Sequence, residues 1–241
     1  MAKSNTFIDL FCGAGGMSYG FEMAGFKSVL AIDNWQDALD TYNHNNPGVK
    51  TLCADLSAID VEKTAKDFGI KHVDLIIGGP PCQGFSVAGK RIVDDVRNKL
   101  YKSFVAFVKY FSPKVFVMEN VPNILTIGDG IVRESILADF RALGYNVEYK
   151  VLTASDFGVP QNRRRAIFVG TKQGEFSFPV PMSGKKVTAC EALSDLSEFS
   201  VEDGSKYERK CQSAYQEWAR SNSKGVFNHK STEHSEKTRH I

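Results

Sequence analysis

Up to Gly170, short and nearly unbroken apolar runs recur along the chain, separated by polar stretches that carry glycine. Seven of these runs read as strands: Thr6–Phe11 (TFIDLF), Ser28–Ile32, Leu52–Leu56, Val73–Ile77, Lys114–Val121, Asn146–Thr153 and Ala166–Gly170. Most are β-branched or apolar without strict alternation, the pattern of strands covered on both faces. The intervening segments Ser18–Ala24, Gln36–Asn45, Asp60–Phe68, Arg97–Phe111 and Ile131–Leu143 read as helices. In Arg97–Phe111 the apolar residues Leu100, Phe104, Phe107, Val108 and Phe111 repeat at helical spacing and point to core packing. Strands alternating with helices predict an α/β fold, a doubly wound and mostly parallel sheet.

After Gly170 the pattern changes. Phe178–Pro181 and Ser183–Lys186 read as loop, and Thr188–Leu193 as a short helix opened by a Thr188/Glu191 capping box. Tyr207–Arg220 is expected to be one more helix, and Ser221–Ile241 is polar and basic without periodicity. The organisation expected is a main domain over residues 1–185 and a second region over 186–241. No internal repeat or low-complexity segment is present.

Charge adds little: 30 basic and 28 acidic side chains leave a net +2, so any nucleic-acid face has to be local. The five cysteines, Cys12, Cys53, Cys82, Cys190 and Cys211, form neither CxxC pairs nor a Cys/His cluster. A reduced compartment without a metal site is the expectation. The N-terminus MAKSNTFIDL runs straight into a strand without a signal peptide or membrane span, so a cytoplasmic protein is expected.

The candidate chemistry centres on VDLIIGGPPCQGFS, Val73–Ser86. The strand must stop at Gly79, and Pro80 and Pro81 fix two φ angles and remove two donors, holding Cys82 just beyond the strand's carboxyl end. Ligands collect at that edge of an open α/β sheet. Gln83, Gly84 and the basic Lys90, Arg91 and Arg97 follow, and could favour a thiolate. Cys82 is therefore either a nucleophile or a buried structural cysteine. Gln83–Val96 lacks apolar periodicity and reads as a surface loop able to act as a lid. In the first unit, Cys12–Gly16 forms a glycine turn between strand and helix, suited to close approach of a ligand. Asp33 stands about 20 residues after the first glycine, where an acid holds a ribose hydroxyl. Ser18 replaces the third glycine of GxGxxG, which favours one adenosine with a charged tail over a dinucleotide. Glu119 ends a strand at the ligand edge, and Gln161–Arg165 (QNRRR) is either a solvated basic face or an anion or base contact.

FIDLFCGAGG at Phe7–Gly16, GGPPCQGFS at Gly78–Ser86, MENV at Met118–Val121 and QNRRR at Gln161–Arg165, in that order and spacing, resemble the cytosine-C5 DNA methyltransferases over roughly residues 5–240. The resemblance implies a Rossmann-like fold that binds S-adenosylmethionine. Phe11 would pack on the adenine, Asp33 hold the ribose, Asn34 line the adenine site and Asp55 meet the adenine amino group. Gly13 and Gly15 would make room for the methionine moiety, with Pro80 and Leu100 completing the cofactor set. Cys82 would add to C6 of cytosine, Glu119 bind N3 and the exocyclic amine, and Arg163 and Arg165 contact O2. The base would be flipped from double-stranded DNA, with Gln83, Ser86, Lys90, Arg91 and Arg97 on the lid or at the DNA. The family's target-recognition region and closing GN-type block cannot be found after Gly170. A catalytic subunit of a two-chain enzyme of the AquI type is expected, residues 186–241 leading toward the recognition region, with a shortened chain as the competing explanation. The rival readings are a tRNA cytosine methyltransferase, a non-catalytic nucleic-acid-binding relic, and an NAD-linked oxidoreductase, which would leave Cys82 and the arginines idle.

Overall fold

The computed structural model of the chain describes residues 5–81 and 99–230, Lys99 by its backbone alone. Its seven strands are β1 (Thr6–Leu10), β2 (Lys27–Asp33), β3 (Thr51–Cys53), β4 (Leu75–Gly78), β5 (Val115–Asn120), β6 (Asn146–Thr153) and β7 (Arg164–Thr171). They form one sheet in the order β3-β2-β1-β4-β5-β7-β6. β1 to β5 pair in parallel, and β7 runs antiparallel to β5. The expected α/β, mostly parallel fold is the one observed. From β1 the chain winds outward to β3 and then returns to place β4 on the other side of β1. That reversal makes the carboxyl ends of β1 and β4 the switch point where such sheets hold ligands.

The helices are α1 (Gly16–Met23), α2 (Gln36–Asn45), α3 (Val61–Phe68), α4 (Lys99–Phe111), α5 (Ile131–Ala142), α6 (Ala189–Leu193) and α7 (Ala214–Arg220). Alternation along the strands sorts their side chains onto two apolar layers. Ile8, Leu10, Ile76, Phe116 and Met118 pack with Phe104, Phe107, Ile136 and Phe140 of α4 and α5. Phe7, Leu75 and Ile77 face the opposite way, onto Met17 and Phe21 of α1. Ala31 of β2 packs with Leu39 and Tyr42 of α2. Being covered on both faces explains why these strands read as continuous apolar runs.

Three expected boundaries are corrected. β3 ends at Cys53 rather than running to Leu56, because Asp55 accepts from the Ser57 amide at 2.8 Å and opens a 3-10 turn over Leu56–Ala58. β7 starts at Arg164, so two of the three arginines lie within the strand instead of beside it. The last helix begins only at Ala214, where Ser213 caps it, and not at Tyr207.

Two compact units emerge. The first comprises Met1–Leu152 with Arg164–Pro179, the second Thr153–Arg163 with Val180–Ile241. In the second unit the Thr188/Glu191 capping box forms as expected, and Arg220 donates from Nε and Nη2 to both oxygens of the fully buried Asp195 at 3.0 Å. Such a bidentate pair offsets the cost of burying the carboxylate. Among the described residues no helix is long and apolar enough to cross a membrane, and no group of three His, Cys, Asp or Glu side chains could hold a metal ion.

Candidate functional site

A cavity of about 230 Å³ lies against the carboxyl ends of the central strands, and Phe11, Asp33, Asn34, Asp55 and Leu100 line it together with Ala54, Leu56, Gly79 and Pro81. Five residues singled out from the sequence thus meet in one place, although they come from four separate segments. Pro81 lines the cavity where Pro80 was expected. Pro80 is buried instead, and its carbonyl accepts from Asn120 Nδ2 at 2.8 Å. Ala54 and Leu56 carried no sequence signal because they read as part of a strand, and Gly79 read only as a strand end within the GGPPCQGFS block.

The glycine turn is built around backbone angles that most residues avoid. Phe11 has φ 60°, an uncommon value for an aromatic residue, followed by Gly13 at 52° and Gly15 at 92°. Strained residues held in place by their surroundings concentrate at ligand sites. Asp33 closes the turn: its Oδ2 accepts from the Gly13 amide at 2.8 Å and its Oδ1 from the Trp35 amide at 3.0 Å. Each carboxylate oxygen has a second lone pair, so it can still accept from a ligand hydroxyl. Gly13 and Gly15 do not line the cavity. Cys12, in the same turn, is buried, and burial followed by the charges of Asp9 and Asp33 pushes its thiol far above the ordinary range. It is an inert thiol.

Glu119 and Arg165 form the second cluster. β5 and β7 pair Glu119 with Ile167 in antiparallel register, which brings Arg165 alongside, and Arg165 Nε lies 2.6 Å from Glu119 Oε1. Both side chains keep about a quarter of their surface exposed, 25% and 24%. The other carboxylate oxygen faces the strand exit: a Cβ on Gly79 would lie 3.2 Å from Glu119 Oε2. Asn120, to which the sequence attached no role, locks that exit by holding the Pro80 carbonyl. Arg163 is exposed and belongs to the second unit, its carbonyl accepting from the Ala154 amide at 2.8 Å. Cys82, Gln83, Ser86, Lys90, Arg91 and Arg97, and with them the expected lid, lie outside the described residues.

A carboxylate-bearing cavity with an aromatic wall suits a nucleoside, and a paired Glu and Arg beside it suit a polar heterocycle. Comparison with known proteins agrees with this chemistry. The chain is 44% identical over 206 residues to the Type II methyltransferase M1.HphI of Haemophilus parahaemolyticus, covering 84% of this chain and 55% of that protein. It is 41% identical over 243 residues to M.DdeI of Desulfomicrobium norvegicum, covering 95% and 58%. Identity to M.AquIA of Picosynechococcus sp. is 39% over 189 residues, covering 73% and 76%. The chain therefore spans a little over half the length of the first two relatives. A crystal structure assigned as a prophage-encoded DNA modification methyltransferase of E. coli superposes with a TM-score of 0.75 at 31% identity, covering 89% of this chain and 63% of that one. Residues 5–240 match the family model described as C-5 cytosine-specific DNA methylase, and the chain belongs to that family.

Proposed function

We propose that the protein is the catalytic part of a DNA (cytosine-5)-methyltransferase of the restriction-modification type, working in the cytoplasm on a cytosine flipped out of duplex DNA. The observation that carries this reading is the convergence of Phe11, Asp33, Asn34, Asp55 and Leu100 on one cavity that is also lined by Gly79 and Pro81, the latter being the residue that precedes Cys82 in the sequence. The cavity fits the adenosine part of S-adenosylmethionine. Phe11 supplies an aromatic face, Asp33 an acceptor for ribose hydroxyls, Asp55 an acceptor for the adenine amine, and Leu56 and Leu100 apolar walls. When bound, the cofactor supplies an electrophilic methyl group.

Cytosine C5 is a poor nucleophile. The Cys82 thiolate adds to C6, and the electron pair released into the ring makes C5 able to take a methyl group. Glu119, oriented by Arg165, holds N3 and the exocyclic amine and supports protonation of N3 as charge builds in the ring. Loss of the C5 proton to water or a nearby base then expels the thiolate and restores the aromatic ring. Arg163 and Arg165 are assigned to the base carbonyl. Gln83, Ser86, Lys90, Arg91 and Arg97 are assigned to the DNA or to a closing segment. Residues 1–185 form the catalytic domain of this reading, and 186–241 the approach to target recognition.

Sequence recognition is assigned to a second chain, a reading supported by the larger share of M.AquIA, 76%, that this chain covers. Both chains mixed with tritiated S-adenosylmethionine should place label at C5 of cytosine in duplex DNA, shown by nucleoside analysis. Label on the exocyclic amine, or preferential labelling of tRNA, would overturn the assignment.

A further inference from the structure

A chain of buried hydroxyls under the glycine turn plays no part in the proposed chemistry. Asp9 of β1 is 1% exposed and faces the α1 side of the sheet, since Ser18 Oγ of α1 donates to its Oδ2 at 2.6 Å. The Tyr42 hydroxyl of α2 donates in turn to Ser18 Oγ at 2.9 Å, and Ser28 Oγ of β2 lies 3.0 Å from the Tyr42 oxygen. Ser18 and Tyr42 are fully buried and Ser28 nearly so. With Ser28 donating to Tyr42, the Tyr42 and Ser18 hydroxyls each have one donor and one acceptor partner, and all three bonds run in one direction toward the carboxyl of Asp9. Tyr42 acts on the turn by its ring as well. Gly15 has φ 92°, and a Cβ there would lie 2.8 Å from Tyr42 Cδ2.

Apolar side chains of the same volume would fill this space without burying a carboxyl, so polar groups here give geometry rather than net stability. The geometry needed is that of a turn with three left-handed residues, Phe11, Gly13 and Gly15, which persists only where its surroundings over-determine it. Asp33 ties the turn to β2 at Gly13. The hydroxyl chain ties the segment after the turn, at Ser18, to β1, α2 and β2 together. We propose that Asp9 and Tyr42 are positioning residues which, through Ser18 and the Tyr42 ring, hold Phe11–Gly15 in the conformation that receives the cofactor. The inference rests on the cofactor reading given above.

The test measures the Kd of S-adenosylhomocysteine by calorimetry on the enzyme with both chains present. Tyr42→Phe keeps the ring against Gly15 and loses only the hydroxyl, and Asp9→Leu keeps the branched shape of the side chain and removes the acceptor of the Ser18 hydroxyl. Each breaks the chain at Ser18 and should weaken binding about three- to ten-fold, the scale of one buried hydrogen bond, with kcat at saturating cofactor unchanged. The double variant should bind within about two-fold of the weaker single one, because both act through Ser18. A Kd within about two-fold of wild type in both single variants, with or without a lower thermal midpoint, would show that the hydroxyls only support the core and would overturn the proposal. Asp33→Ala separates the two ideas. If wild type and Asp33→Ala bind S-adenosylhomocysteine alike, or neither binds it, the cofactor reading itself fails and this inference with it.

Discussion

Asp9 carries an energetic cost that a side chain in the core of a sheet seldom bears. Burial, opposed by the Ser18 hydroxyl and reinforced by Asp33 and Glu22, pushes its carboxyl from 3.8 up to about 7. Cys12 and Tyr42 are the other titratable groups close to it, and both stay neutral at ordinary pH because burial raises them. A carboxyl whose value is higher in the fold than in the unfolded chain favours folding while protonated. Its contribution is full below about pH 4 and is lost as pH rises through about 7, corresponding to about 4 kcal/mol in all. Asn at this position cannot titrate, so Asp9→Asn should gain about 2 to 3 kcal/mol on wild type between pH 5 and pH 8. Urea denaturation of both proteins at the two pH values checks this, and parallel pH slopes would contradict it. Asp9 was not recognisable in the sequence, because one acid inside TFIDLF is outweighed by its apolar neighbours. Asp33 was, because it stands at a strand end at a fixed distance from a glycine turn.

The strands were legible for a physical reason: coverage on both faces leaves long apolar runs that loops do not imitate. Element ends were less so. Ala54 and Asp55 look compatible with a strand, yet the Asp55 side chain competes for the next turn's amide and ends β3 early. Arg164 and Arg165 look like a loop, yet β7 is long enough to carry its charges at the strand entrance while Ile167, Phe168 and Val169 continue along the sheet. That extension is what sets Arg165 beside Glu119, a pairing that no spacing rule along the chain could supply. Close packing between β5 and β7 sets a further requirement. Gly170 is opposite Phe116, and a Cβ there would lie only 1.9 Å from the Phe116 ring, which itself stacks on Phe140 at 4.0 Å. Gly170→Ala should therefore cost about 1 to 3 kcal/mol through overpacking and lower the thermal midpoint by several degrees. An unchanged midpoint would show that the β5–β7 packing is looser than described.

For the whole molecule, the described residues hold a central seven-stranded sheet with its switch-point cavity, and the chain spans little more than half of its first two relatives. The proposed function assigns catalysis to this chain and sequence choice to a second one. Phosphate contacts and base contacts divide in the same way in DNA-binding proteins generally. The claim on which the account depends is that Cys82 attacks cytosine. Trapping answers this most directly, because fluorine at C5 cannot leave as a cation and the covalent adduct persists after methyl transfer. Duplex DNA carrying 5-fluorocytosine at the target, incubated with both chains and S-adenosylmethionine, should give a denaturation-stable complex whose peptide map places the nucleotide on Cys82, and Cys82→Ser should give none. An adduct on another residue, or turnover retained by Cys82→Ser, would contradict the account.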